Sequence, residues 1–199
     1  MNADGNYLDT FQLPPQLHMQ SNKSGARKNS VFEGVTFSEN YKALFASVEE
    51  PLYVDGSRAG LNDSTGITRI LKFDMDTKKP IAQYAYILDP VTFAPTPLNA
   101  FRINGIPDLL ALNKNKFLVI EFSYSTGRLA FTIKVFIADV SSAENVQELS
   151  SLKNKPELKT VSKKLLLNMD KLGIYIDNVE GHFWNNTAQR QNIFIICCR

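Results

Sequence analysis

Residues 108–140, DLLALNKNKFLVIEFSYSTGRLAFTIKVFIADV, contain three apolar segments separated by short polar turns. Each segment is short and rich in β-branched and aromatic residues, which is typical of β-strands. A fourth such segment follows after a polar stretch. The sequence therefore predicts four consecutive strands, at Asp108–Leu112, Phe117–Tyr124, Ala130–Val140 and Val161–Met169.

The same order of strands occurs twice more along the chain. An earlier unit is predicted at Val31–Ser38, Ala43–Val48, Thr68–Asp74 and Ile81–Leu88, and a later one starts with Val179–Trp184 and Asn192–Cys198. Each unit begins with a carboxylate: 75 residues separate Glu33 from Asp108, and 72 separate Asp108 from Glu180. Four-stranded units in series predict an all-β protein, a β-propeller of antiparallel blades. The alternative is a β-sandwich with coincidental spacing.

The predicted propeller is only partial. A propeller has about four to eight blades, whereas this sequence supplies two full blades and parts of two others. The strand predicted at Tyr7–Leu13 would end an earlier blade, because Pro14 and Pro15 stop it. We therefore expect residues 1–199 to be a single domain, a fragment without its N-terminal blades and C-terminal end. Uncovered blade faces and the apolar strand Asn192–Cys198 predict self-association.

The composition excludes several functional classes. Lysine and arginine number 22 against 20 acidic residues, so the basic surface of a nucleic-acid-binding protein is missing. No apolar run approaches the roughly 18 residues of a membrane span, and the start, MNADGNYLDT, lacks the pattern of a signal peptide. HExxH, GxSxG and glycine-rich phosphate-loop motifs are all missing from the sequence. Any chemistry must therefore rest on carboxylates and basic side chains.

Five segments, in a fixed order, carry a resemblance to a known family. They are Gly25-x-Arg27-x-Asn29-x-x-Phe32-Glu33-Gly34; Val48-Glu49-Glu50-Pro51-Leu52 with Asp55-Gly56; Arg69-Ile70 with Gln83-Tyr84-Ala85-Tyr86; Gly105-Ile106-x-Asp108 with Leu118-Val119-Ile120-Glu121; and Lys164-Leu165-Leu166 with Asp177-Asn178-Val179-Glu180-Gly181. Together they resemble the family called esterase-like activity of phytase. The sequence departs from the family at Phe122, where the family has arginine, and at its end, Ile195–Arg199, where the family is rich in aspartate.

The resemblance implies a propeller fold and a metal-assisted hydrolase of a small-molecule ester or phosphoester. It also implies a bacterial protein that is periplasmic or secreted. The alternative is a non-catalytic propeller that binds a ligand or a partner protein at its channel face, and it is favoured by Phe122 in place of arginine and by the truncated last blade.

The carboxylates at the strand starts are the candidate catalytic and metal-binding residues. In a propeller the first strand of each blade lines the central channel, so these acids would converge there. Like charges held close together favour a bound cation, and Ca²⁺ suits several flexible oxygen ligands. The alternative is that each acid accepts backbone N–H bonds and fixes the spacing of the blades. The predicted metal ligands are Glu33, Glu49, Asp108, Glu121 and Glu180, with Glu33, Asp108 and Glu180 as catalytic residues.

Other side chains are assigned to substrate binding or to structure. Arg27, Asn29 and Asn178 are the predicted substrate-binding residues, with an ion pair from Arg27 to Glu33 or Glu49 as the alternative. Glu49 and Glu50 are adjacent, so only one of them faces the channel, and the sequence leaves open which. The structural set comprises Arg69, a solvated Lys163 at a strand edge, the hairpin-turn residues Asp74 and Asp139, and the inter-blade pair Tyr84 and Tyr86.

Overall fold

The computed structural model describes residues 4–62, 65–177, 179–185 and 193–198, and in these ranges the chain is all-β apart from three 3-10 turns. The first sheet contains β1 (Phe32–Phe37), β2 (Ala43–Val48), β3 (Gly66–Asp74) and β4 (Pro80–Leu88). The second contains β5 (Arg102–Ala111), β6 (Lys116–Ser125), β7 (Thr132–Asp139) and β8 (Ser162–Asn168). A hairpin of β9 (Val179–Asn185) and β10 (Ile193–Cys198) follows. The 3-10 turns are Pro15–Leu17, Tyr53–Asp55 and Met169–Leu172.

Both four-stranded sheets are antiparallel meanders, in which each strand pairs with the next along the chain. The turns use aspartate as predicted. The Asp74 carboxylate accepts hydrogen bonds from both the amide and the hydroxyl of Thr77, each at 2.7 Å. The Asp139 carboxylate accepts from the Ser141 amide at 2.8 Å. These side-chain bonds replace backbone partners in the tight turns.

Apolar side chains of the described residues form four buried clusters, and three of them lie on the faces of the sheets. The core between the two sheets includes Phe45 and Phe117, whose ring centroids are 4.7 Å apart. A second core lies between the first sheet and the segment that contains Leu17 and Ala26. A third joins the second sheet to Met169, Ile176 and Val179. Burying a large apolar side chain contributes about 1.5–3 kcal/mol, so these clusters stack the sheets one upon another.

The first strands of successive sheets lie side by side, β1 against β5 and β5 against β9. Gly34 permits the first of these contacts, because a Cβ atom there would lie 2.7 Å from the Asp108 Cα atom. At Gly181 a Cβ atom would lie 3.8 Å from an Asp108 carboxylate oxygen. The described residues thus show stacked antiparallel sheets, and their closure into a ring of blades stays a prediction.

Each of these first strands has a β-bulge at its carboxylate. The register shifts between Phe32 and Val35 in β1, between Gly105 and Asp108 in β5, and at Glu180 in β9. A bulge inserts an unpaired residue and redirects the side chains around it. The repeat seen in the sequence is therefore also a repeat of local backbone geometry.

The connection between β7 and β8 covers the edge of the first sheet. The Val146 amide donates to the Gln83 carbonyl and the Val161 amide to the Ala85 carbonyl, both at 2.8 Å. The Gln83 amide in turn donates to the Asn145 side chain at 3.0 Å. β4 therefore has its free backbone groups satisfied by residues of the second unit.

Arg69 has the structural role that the sequence predicted. Its guanidinium makes two bonds of 2.7 Å to the Asp55 carboxylate, and both side chains are fully buried. The same guanidinium donates to the Gln83 side chain at 2.9 Å and to the Leu149 carbonyl at 3.2 Å. This ion pair therefore fastens the first sheet to the connection that covers it.

Two strand predictions need correction. Tyr7–Leu13 is not a strand: Tyr7 and Leu8 are exposed, so no buried face holds the segment in register. The Gln12 amide instead donates to the Lys78 carbonyl, and Phe11 packs edge-on against Phe73 at 5.3 Å. β5 begins at Arg102 rather than at Asp108, because a bulge between Gly105 and Asp108 accommodates Pro107 within the strand.

In the part of the chain that the structure describes, no helix is long and apolar enough to cross a membrane.

Candidate functional site

A cavity of about 470 Å³ opens beside the bulge of β1, and we call it the Glu49 cavity. It brings together three of the predicted site residues, Asn29, Glu33 and Glu49. Apolar and aromatic side chains form the rest of its lining: Phe101, Ile103, Pro107, Phe122, Tyr124 and Phe131.

The backbone fixes Glu49 between the two sheets. Its amide donates to the Val31 carbonyl at 2.8 Å, and its carbonyl accepts from the Ile106 amide at 3.1 Å. Gly105 leaves room for the side chain, because a Cβ atom there would lie 2.9 Å from the Glu49 Cγ atom. Asn29 reaches the cavity from a turn in which its φ is +60°, a left-handed conformation that asparagine tolerates.

The electrostatic environment of Glu49 favours its protonated form. The side chain is 8% exposed, and burial, followed by the charges of Glu33 and Glu50, raises the pKa of Glu49 to about 8. A hydrogen bond with Ser30 and the charge of Arg58 act in the opposite direction. A carboxyl group with such a pKa can release and take up a proton near neutral pH, as general acid–base chemistry requires.

Glu50, the neighbour of Glu49, has its own partners. Its carboxylate is buried and accepts from the Ser30 hydroxyl and from two nitrogens of Arg58, one of them at 3.1 Å. Of the two adjacent glutamates, Glu49 is thus the one that lines the cavity.

Glu121 lies apart from this cavity, in a buried polar cluster between the sheets. Its carboxylate accepts from the Tyr86 hydroxyl at 2.8 Å, the Asp89 amide at 2.9 Å, the Asn104 side chain at 2.8 Å and the Lys163 ammonium at 2.5 Å. Asp89 completes the cluster with ion pairs to Lys163 at 2.6 Å and to Lys134 at 2.8 Å. The prediction of a solvated Lys163 is therefore wrong, whereas inter-sheet packing of Tyr86 is confirmed.

Asp108 faces β9 rather than the Glu49 cavity. One of its carboxylate oxygens accepts from the Leu109 amide at 2.8 Å, and the other lies next to Gly181. Glu180 belongs to β9, but its side chain lies outside what the structure describes, and Asn178 lies outside the described residues altogether. The structure thus places Asp108 next to β9, the strand of Glu180, and it places Glu33 in the same cavity as Glu49.

The described side chains do not gather the predicted five-carboxylate ring. Among them, no group of three or more His, Cys, Asp or Glu residues could hold a metal ion. Glu33, Glu49 and the amide oxygen of Asn29 nevertheless line one cavity, and hard cations such as Ca²⁺ bind oxygen donors of this kind together with water.

Arg27 does not form the predicted ion pair with Glu33 or Glu49. Its guanidinium donates to the carbonyls of Pro51 and Gly56, both at 2.8 Å, and stacks on the ring of Tyr53 at 4.3 Å. It lines a second cavity of about 540 Å³, which we call the arginine cavity. The lining of that cavity is Arg27, Ser57, Arg58, Ala59, Gly60, Ala100, Phe101 and Arg102.

Sequence reasoning did not identify the aromatic wall of the Glu49 cavity. One signal was available, because Phe122 and Tyr124 are two residues apart in a strand and so share a face of the sheet. The other two rings, Phe101 and Phe131, come from segments next to strand starts, and only the tertiary fold brings them to that face.

Comparison with known proteins supplies the family. A family model described as Phytase-like: Esterase-like activity of phytase matches residues 1–197, nearly the whole chain. The comparisons with curated proteins and with solved structures gave no match.

Proposed function

The chain belongs to the phytase-like family described as esterase-like activity of phytase, and we propose that it hydrolyses a small-molecule ester or phosphoester in the Glu49 cavity. The family description indicates a hydrolase-type function. The observation that supports the location is a buried carboxyl group with a pKa of about 8 in a cavity with Glu33 and Asn29.

Glu49 would transfer the proton in this reaction. In its charged form it accepts a proton from the attacking water as the new bond to carbon or phosphorus forms. It then gives the proton to the leaving alcohol oxygen as the ester bond breaks. Asn29 can donate an amide hydrogen bond to the substrate. The aromatic wall keeps bulk water away from the reacting group.

A divalent cation, with Ca²⁺ as the first choice, would be held by Glu33, Glu49 and Asn29. When bound, it would polarise the ester oxygen and lower the pKa of a coordinated water. Its charge would also favour the ionised form of Glu49, which the charges of Glu33 and Glu50 disfavour.

The other predicted site residues remain part of the proposal because they lie in the family motifs. Asp108 and Glu180 remain candidate catalytic and metal-binding residues, and Asn178 a candidate for substrate binding, in a channel that successive first strands would line. The stacking of β1, β5 and β9 supports that arrangement and a partial propeller as the fold. By family, the proposed location is the periplasm or the extracellular space.

The test is hydrolysis of p-nitrophenyl acetate, p-nitrophenyl phosphate and phytate, each with Ca²⁺ and with EDTA. We expect Glu49→Gln to lower kcat by about 100-fold or more, the usual contribution of general acid–base catalysis. Glu157→Gln, at an exposed position outside both cavities, is the matched control.

A second function is favoured by one observation. Phe122 stands in the cavity lining where the family has arginine, so the site has exchanged a cation for an aromatic ring. A non-catalytic chain that binds a ligand or a partner at this face would show no turnover of any ester with any metal. That result would replace the hydrolase proposal.

We also propose that the chain self-associates. Apolar side chains on β8 and after it are exposed, including Leu166 at 57% and Tyr175 at 66%. Light scattering coupled to size-exclusion chromatography tests this, and a single 22.4 kDa species at all concentrations would contradict it.

A further inference from the structure

One wall of the Glu49 cavity is made of four aromatic rings, which are tilted against one another by 35–56°. The centroids of Phe101 and Tyr124 are 6.2 Å apart, those of Tyr124 and Phe131 are 5.0 Å apart, and those of Phe131 and Phe122 are 6.0 Å apart. Offset and edge contacts at such distances are favourable between aromatic rings. A substrate that carries an aromatic ring would continue this row.

The arginine cavity has the opposite character. Three guanidinium groups line it, and among the described residues Arg58 alone has an ion pair there, with Glu50. Arg27 and Arg102 donate to backbone carbonyls, those of Pro51 and Gly56 and that of Leu98 at 3.1 Å. Burial and the charge of Arg58 lower the pKa of Arg27, whereas the charge of Glu50 raises it. An anion would act in the same direction as Glu50, and the planar guanidinium suits carboxylate and phosphate groups.

Three features join the two cavities. The ring of Phe101 lines both. The turn Arg27–Ser30 supplies Arg27 to one and Asn29 to the other. Glu49 lines the first cavity, and the next residue, Glu50, holds Arg58 of the second. A single small molecule can therefore lie across both.

We propose that the two cavities bind one substrate, an aromatic ester that carries an anionic group. The ring lies on the aromatic wall, the ester faces Glu49, and the carboxylate or phosphate lies in the arginine cavity. The part of this proposal that concerns turnover rests on the hydrolase function proposed above, whereas the part that concerns binding does not.

The kinetic test compares 4-acetoxybenzoate with its neutral methyl ester. Charge-assisted hydrogen bonds should make kcat/KM about 10- to 100-fold higher for the anion. Arg102→Gln should remove most of this preference by lowering kcat/KM for the anion. Lys114→Gln removes the same charge from an exposed turn outside both cavities and should leave the preference intact.

The binding test needs no turnover. Calorimetry at pH 7 on the whole chain should show benzoate binding at least tenfold more tightly than benzamide, and Arg102→Gln should make the two equal. Circular dichroism confirms the fold of each variant. Preferential binding of benzoate without hydrolysis of any ester would overturn the hydrolase function but keep the ligand class. Equal binding of benzoate and benzamide by the wild type, or the same loss in Lys114→Gln, would overturn the present proposal.

Discussion

Glu49 and Glu121 are both buried acids that follow a buried apolar residue of the second strand of a sheet, Glu49 directly after the end of β2 and Glu121 within β6. Glu121 is surrounded by donors and shares Lys163 with Asp89. Glu49 has carboxylates as its main electrostatic neighbours and an open cavity in front of it. The two sites share a strand pattern but differ in what the loops and later strands bring to them.

Because of this difference, Glu121 has a structural role, whereas Glu49 can exchange a proton with a ligand. A buried carboxylate with a full set of hydrogen bonds and a cation holds neighbouring elements together. A buried carboxyl group beside other acids keeps its proton and can exchange it with a ligand. Substitutions can exchange these properties between the two sites, and unfolding experiments at different pH values can measure them.

The largest effect is expected from Lys163→Ala. It leaves Glu121 buried without an ammonium partner and leaves Asp89 with Lys134 alone, and breaking a buried ion pair costs about 3–5 kcal/mol. Urea unfolding measures the change in the free energy of unfolding. Lys164→Ala is the control, because Lys164 is the exposed next residue on the same strand. Equal effects of the two substitutions would contradict the structural role of the Glu121 cluster.

The second prediction concerns the pH dependence of stability. The pKa of Glu49 is about 8 in the folded chain against 4.5 for the ordinary group. The folded state therefore binds more protons in this window, so stability falls as the pH rises from about 5 to 8. The slope is on the order of 1.4 kcal/mol per pH unit at its steepest. Glu49→Gln should flatten the profile in this range, and Glu157→Gln should leave it as in the wild type.

The third prediction makes one site resemble the other. Phe122→Arg places a cation in the lining of the Glu49 cavity, as Lys163 does beside Glu121. An opposite charge at close range lowers a carboxyl pKa by about 1–3 units, so the decline in stability should end at a lower pH and be smaller in total. A pH titration of the melting temperature measures this, with Phe122→Leu as the uncharged control. An unchanged profile would show that position 122 does not act on Glu49.

The smallest effect is expected from metal. If Glu33 and Glu49 share a cation, EDTA should lower the melting temperature and Ca²⁺ should restore it. Bound Ca²⁺ would add about 2.7 kcal/mol to the free energy of unfolding when its concentration exceeds the Kd 100-fold. Glu33→Gln should abolish the response, whereas Glu121→Gln should keep it, because Lys163 already neutralises that acid. A wild-type melting curve that EDTA leaves unchanged would remove the proposed cation site.

The sequence predicted the strands because their signals are local. The run Phe117–Tyr124 and its turns are visible without tertiary information, and β6 follows them closely. Side-chain partners are not local: Lys163 looks like a solvated edge residue until β6 and the loop after β4 bring Glu121 and Asp89 to it. For the same reason the sequence grouped Glu121 with Glu49 as metal ligands. The spacing of a sequence repeat predicts where an acid lies in its strand, but it does not predict which side chains surround that acid.

The connection that covers β4 has a consequence for how the molecule acquires its structure. Val146 and Val161, which bond to Gln83 and Ala85, are synthesised about 60–75 residues later. Because synthesis proceeds at roughly 5–20 residues per second, the edge of β4 lacks these partners for several seconds after it has been made. The first repeat therefore cannot mature as an independent module. The two repeats form one cooperative unit whose long-range contacts slow folding, and a nascent chain is most exposed to mispairing during that wait.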